Sequence, residues 1–127
     1  MKRKILYLLL ALPLAANAQY RSEVWCPDNG DGTYTNPVIN ADYSDPDLCA
    51  VGEDYYLTAS SFAHIPGLPI LHSRDLVNWE LIGHALQSQF PESKAPEHGK
   101  GVWAPSIRHH NGEFYIYWGD PDRGVFM

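Results

Sequence analysis

The residues best suited to chemistry in this sequence are carboxylates held on rigid turns. Two Asp-Pro-Asp triplets occur, Asp45-Pro46-Asp47 and Asp120-Pro121-Asp122. Proline fixes the backbone where one element gives way to the next, so each triplet presents its acids from a set geometry. Two carboxylates, one drawing a proton from water and one protonating a leaving oxygen, are the equipment of glycoside hydrolysis. Acid-proline turns are also ordinary surface punctuation, so the triplets alone do not decide between the two roles.

Two aromatic residues join the candidates. Phe62 follows Ser60-Ser61 at a strand end, and Trp103 sits in Gly101-Val102-Trp103-Ala104-Pro105. Flat rings beside a few polar groups suit carbohydrate binding; packing in a core is the competing reading for either ring. The histidines His64, His72, His84, His98, His109 and His110 show neither the i, i+4 nor the Cys-paired spacing of a zinc site. No glycine-rich phosphate loop follows a strand, and no metal or cofactor is expected. The run Asp28-Asn29-Gly30-Asp31-Gly32 has the composition of a calcium loop without its ligand spacing or closing Glu, and reads as a solvated turn.

The elements that must position these residues are strands. From residue 45 onward there is no good helix signal. Short β-branched and aromatic runs alternate with turn clusters. Val51-Gly52-Glu53-Asp54 is a hairpin turn feeding the strand Tyr55–Ser60. Leu68–His72 and Trp79–Leu86 are further strands, the latter after the turn Ser73-Arg74-Asp75. His110-Asn111-Gly112-Glu113 is a second hairpin, leading into Phe114–Trp118.

The chain also repeats itself. An offset of 59 lays Pro46 on Pro105, Leu48 on Ile107, Asp54 on Glu113 and Tyr55-Tyr56-Leu57 on Phe114-Tyr115-Ile116. An offset of 57 lays Gly67 on Gly124. One unit holds about four short strands, a period that marks solenoids or propeller blades, and four-stranded antiparallel blades around a channel fit best. The repeat separates the triplets. Asp45 begins a unit's innermost strand, where the second unit has Ala104, whereas Asp120 falls on Ser61 at the far end of a second strand. Asp45 is therefore better placed for a central site. A closed propeller needs roughly 160–200 residues, so this chain has room for one blade and most of a second.

The start of the sequence carries a different signal. Lys2, Arg3 and Lys4 precede the apolar stretch Ile5–Leu14, and Ala16-Asn17-Ala18 supplies small residues, the pattern of a secretory signal peptide over 1–18. The apolar run is too short to span a bilayer, and Gln19 in place of Cys speaks against a lipid anchor. Export to the periplasm or the extracellular space follows, with a polar lead-in segment over 19–35 ahead of the domain over 36–127. Loss of three cations would take the formal charge from −6 to −9, an acidic balance opposed to nucleic-acid binding. Cys26 and Cys49 could pair in an exported protein, but two thiols are no framework, and independent half-buried thiols are the expectation.

Three stretches together carry a family resemblance. Asn36-Pro37-Val38 through Asp45-Pro46-Asp47, then Gly67-Leu68-Pro69-Ile70-Leu71-His72-Ser73-Arg74-Asp75-Leu76-Val77-Asn78-Trp79, then Gly101-Val102-Trp103-Ala104-Pro105-Ser106-Ile107 resemble glycoside hydrolase family 43, closest to its bacterial β-xylosidases and α-L-arabinofuranosidases. The resemblance covers almost all of residues 33–127. It implies an all-β fold, a five-bladed β-propeller of which this chain holds about the first blade and most of the second. It also implies an inverting mechanism with three acids. Asp45 matches the general base, while the acid Glu and the Asp that tunes it lie in later blades, beyond Met127. Asp120 matches neither. Phe62 and Trp103 match aromatics lining the sugar pocket. Ala50, where relatives often carry Arg, and Asp47, where many have Ser, depart from the pattern.

The expectation is thus the N-terminal part of an exported hydrolase of O-glycosyl bonds in xylan- or arabinan-derived oligosaccharides, carrying its base without its acid. A non-catalytic carbohydrate-binding propeller is the alternative, and Asp45 argues against it. A purely structural β-repeat module is a second rival. The invertase-type propellers are disfavoured because their Trp-x-Asn-Asp-Pro-Asn start is missing.

Overall fold

The computed structural model describes residues 22, 24–88 and 98–127. The expected signal peptide over 1–18 lies outside them. All seven elements of the described residues are strands. A first sheet runs β1 (Asp47–Val51), β2 (Asp54–Thr58), β3 (Gly67–Ser73) and β4 (Glu80–Leu86), each antiparallel to the next in that order. A second runs β5 (Trp103–His110), β6 (Glu113–Asp120) and β7 (Gly124–Phe126), again in sequence order.

The repeat seen in the sequence survives in the backbone. The β1–β2 hairpin pairs Val51 with Asp54 and the β5–β6 hairpin pairs His110 with Glu113, an offset of 59. Gly52 and Asn111, equivalent under that offset, both take positive φ, 64° and 51°. In the second hairpin Gly112 does so too, at 83°, as an Asn-Gly turn between right-twisted strands requires. Asp45, two residues ahead of β1, and its equivalent Ala104, the second residue of β5, share the left-handed region at φ 47° and 36°. Two unrelated side chains in one uncommon conformation point to a backbone requirement of the unit rather than to a preference of either residue.

The strand read as Tyr55–Ser60 is shorter in the structure, ending at Thr58. The chain leaves its ladder there because its next amides find other partners. Ser60 N–H donates to Ser44 O at 2.9 Å, Ser61 N–H to Val102 O at 3.2 Å, and Phe62 and Val102 exchange both backbone hydrogen bonds at 3.0 Å. This crossing stitches the first sheet to the second. Around it lies the core: Leu57, Ala59, Leu68, Leu71, Val102 and Ile107 are buried. Elsewhere between the two sheets, Tyr56 meets Phe114 edge-on at 4.7 Å.

The motif Ser73–Trp79 turns out to be a self-capped turn between β3 and β4. Asp75 Oδ1 accepts the N–H groups of Val77 and Asn78 at 2.9 and 2.7 Å, and Ser73 Oγ accepts those of Asp75 and Leu76. Trp79 Nε1 donates to Leu76 O. Burial works against the Asp75 charge, but donors from Asn78, Val77 and Ser73 outweigh it and hold the carboxyl at about 2. Asn78 Nδ2 also reaches Asp28 Oδ2 at 3.0 Å, fastening the lead-in segment to this turn. Within that segment Asp28 and Asp31 carboxylates accept the amides of Gly30 and Thr33, the local turn chemistry expected of this run. Cys26 and Cys49 are half-buried free thiols.

Candidate active site

Asp45 stands two residues ahead of β1, exposed, on the positive-φ turn described above. Its two carboxylate oxygens differ. Oδ2 accepts hydrogen bonds from Ser44 Oγ at 3.0 Å and Ser60 Oγ at 3.1 Å. Oδ1 takes no hydrogen bond from any described residue. The side chain is thus anchored through one oxygen and presents the other. Ser60, buried to 5% exposure, also accepts the Ala104 N–H at 2.8 Å, so the anchor spans both sheets.

The structure brings the sequence-read aromatics to this junction. Phe62 is the residue whose backbone pairs with Val102, immediately before Trp103. Trp103 opens β5, is 40% exposed and donates its indole N–H to Gly99 O at 3.0 Å. With that donor already engaged, the indole can offer a ligand its ring rather than its N–H.

Asp120 does not share this setting. It closes β6, its Oδ1 accepting the Asp122 N–H at 2.9 Å and its Oδ2 the Arg123 guanidinium at 2.7 Å. Both oxygens serve the β6–β7 turn. Asp122 forms a surface ion pair with Lys100 at 3.0 Å. A cleft of about 420 Å³ between the lead-in segment and the first sheet, walled by Trp25, Tyr43, Leu71, Val77 and Trp79, has none of Asp45, Phe62 or Trp103 on its walls.

Sequence reasoning missed two contributors. Ser60 appeared only as a strand end near Phe62. Asp47 appeared only as the last acid of its triplet and as a departure from the family pattern, yet its Oδ2 accepts the Ile107 N–H at 2.8 Å and the Arg108 guanidinium, tying β1 to β5. Burial opposes the Asp47 charge, but the Ile107 amide and Arg108 prevail and lower its pKa. The only signal available in the sequence was that Asp47 and Ile107-Arg108 occupy neighbouring inner strands, which names no contact.

The comparisons with known proteins agree on one family. The model for glycosyl hydrolases family 43 matches residues 34–127. A non-reducing end α-L-arabinofuranosidase of Bacteroides ovatus is 46% identical over 103 residues, which is 74% of this chain and 19% of that protein. A β-xylosidase of Formosa agariphila is 39% identical over 125 residues, 92% of this chain and 20% of that protein. Among solved structures, a family 43 protein of the Bacteroides ovatus xyloglucan locus aligns with TM-score 0.61 at 44% identity, covering 72% of this chain and 19% of that one. The xylan β-1,4-xylosidase of Bacillus halodurans aligns with TM-score 0.61 at 38% identity, covering 67% and 16%. The chain therefore spans about a fifth of the length of the curated relatives it matches.

Proposed function

Because this chain belongs to glycosyl hydrolase family 43, we propose that it is the N-terminal part of an exported, inverting glycosidase of xylan- or arabinan-derived saccharides, with Asp45 as general base. On this reading the two sheets are the first blade and most of the second of a five-bladed propeller. Tyr117, Val125 and Met127 are exposed on the second sheet and just past it, on the surface a third blade would cover. The acid Glu and the tuning Asp come from chain outside residues 1–127. The names of the relatives, arabinofuranosidase and xylosidase, support the substrate class.

The observation that carries the reading is the asymmetry of the Asp45 carboxylate. A base in an inverting hydrolase must take a proton from a water that attacks the anomeric carbon from the face opposite the leaving group. That needs an oxygen open to solvent on a side chain that does not swing. Two serine hydroxyls hold Oδ2, and Oδ1 has no donor among the described residues to displace. The water proton passes to Oδ1 as its oxygen bonds to the anomeric carbon, while the acid gives a proton to the departing oxygen. Phe62 and Trp103 border the place where the sugar lies.

The test is Asp45→Asn in the complete hydrolase, assayed on aryl β-xyloside and α-L-arabinofuranoside, with the anomer first released followed by NMR. The reading expects loss of turnover and, in the parent, a product of inverted configuration. Residues 19–127 alone are expected to hydrolyse neither substrate. Sugar binding without turnover in the complete protein would instead favour the non-catalytic carbohydrate-binding propeller.

A further inference from the structure

Resting on the reading of Asp45 as base, we propose that Ser60 is the positioning residue of that base, and that it makes the base answer to the second sheet as well as the first. Ser60 Oγ has one proton and its lone pairs to offer. The Ala104 N–H at 2.8 Å occupies the acceptor side. The Ser60 proton is then directed to the remaining partner in reach, Asp45 Oδ2 at 3.1 Å. The order of donation is fixed: Ala104 N–H to Ser60 Oγ, Ser60 O–H to Asp45 Oδ2. A backbone amide of β5 thereby sets the direction of a hydroxyl that holds a carboxylate ahead of β1.

The other hydroxyl on Oδ2 has no such constraint. Ser44 adjoins Asp45 in sequence and donates at 3.0 Å, with no second hydrogen bond to its hydroxyl from the described residues. It moves with the turn it would have to hold. Ser60 is placed independently, since its own N–H donates to Ser44 O at 2.9 Å and the residue is 5% exposed. The loop bearing Asp45 is therefore clasped twice by one residue, through the Ser60 amide on Ser44 and through the Ser60 hydroxyl on Asp45. Ala104 itself sits at positive φ, at 36°, and is followed by Pro105, whose ring fixes its own φ and so limits how far this stretch of backbone can shift. Trp103, the ring beside the site, is the residue before Ala104. One hydroxyl thus sets the distance between the base and the stretch of β5 that carries the sugar-facing ring.

The experiment compares Ser60→Ala, Ser60→Thr and Asp45→Asn, with the double variant of Ser60→Ala and Asp45→Asn, in the complete hydrolase. A displaced base costs turnover rather than binding, so Ser60→Ala is expected to lower kcat by about 10–100-fold with KM within about twofold and a cooperative melt preserved. Ser60→Thr keeps the hydroxyl and should recover most of kcat. Adding Ser60→Ala to Asp45→Asn should cost nothing further, since residues acting as a unit are not additive. Wild-type kcat in Ser60→Ala would overturn the proposal. So would an equal loss in the Asp45→Asn background, or a Ser60→Ala protein that loses its cooperative melt together with its activity. Full activity in Asp45→Asn would bring down the assignment of the base itself, a different failure from that of Ser60.

Discussion

The same three residues, Asp-Pro-Asp, occur twice in this chain and do different work. At Asp45 the donors to the carboxylate come from Ser44 and from Ser60, fifteen residues away, and one oxygen stays open. At Asp120 both oxygens are taken by the turn that follows, through the Asp122 amide and Arg123. The third residue of each triplet differs likewise. Asp47 crosses to the second sheet and accepts Ile107 N–H and Arg108, whereas Asp122 meets Lys100 at the surface. The triplet supplies rigid acids in both places. What differs at the first acid is whether every donor belongs to the turn that follows, as at Asp120, or one comes from a residue distant in sequence, as Ser60 does at Asp45, leaving a charged group fixed and accessible.

The largest effect that tests this contrast is loss of the proposed base. Asp45→Asn keeps the size of the side chain and removes its ability to take a proton. In the complete hydrolase kcat should fall by at least about 10²–10⁴-fold, with the thermal melt unchanged because Asp45 is exposed. Steady-state kinetics alongside calorimetry separate the two outcomes. Next comes the ring beside it. Trp103→Ala should lower kcat/KM on either substrate while leaving a folded protein, because 40% of Trp103 is exposed. A destabilisation of about 3–5 kcal/mol, the cost of a core Trp→Ala change, would make Trp103 a packing residue and dissolve its half of the site.

Asp47 sharpens the contrast from the side of stability. Asp47→Ala leaves the Ile107 N–H, in a residue only 1% exposed, without its acceptor, at a cost of about 1–3 kcal/mol. The exposed Arg108 partner adds little to that. The pH dependence has a definite sign. The folded-state pKa of Asp47 is depressed below the ordinary carboxyl value of 3.8. The stability this linkage supplies is therefore present above that value and is lost as the pH falls through the folded pKa. Asp75, held at about 2, behaves the same way, its contribution fading between 3.8 and about 2, though solvent screening keeps it small. Acid melts of the parent should steepen below pH 4, and Asp47→Ala should flatten part of that slope.

How much of this was legible beforehand follows from what is local. Strands and hairpins were readable because β-branched runs and Asn-Gly turns act over a few residues, and the 59-residue offset carried Asp45 onto Ala104 correctly. That offset also separated the triplets, since it placed Asp120 at the end of a second strand, where β6 does end. The end of β2 was misread because nothing between Tyr55 and Ser60 breaks the strand pattern. The ladder stops at Thr58 since the amides of Ser60, Ser61 and Phe62 find partners in Ser44 and Val102, the latter about forty residues away. Ser60 and Asp47 were missed for the same reason. Their partners are Ala104 and Ile107-Arg108 on the adjoining sheet, and a repeat tells which positions are equivalent, not which ones touch.

The smallest effect belongs to Asp120, and its smallness is what the contrast requires. An Asn there keeps a carbonyl oxygen that can accept the Asp122 N–H, now 2.9 Å from Oδ1, so the turn retains its cap. What is lost is the ion pair with Arg123, whose side chain is 28% exposed against 9% for Asp120. A partly screened pair between residues three apart contributes about 0–1 kcal/mol. Asp120→Asn should therefore lower Tm slightly and leave kcat and KM on both glycosides as they were. Raising the salt concentration should shrink the Tm difference between parent and variant, because screening removes from the parent what the substitution removes from the variant. If Asp120→Asn instead cost more turnover than Asp45→Asn, the open oxygen at Asp45 would not mark the base, and the donors of the β6–β7 turn would have to be read as an active-site network.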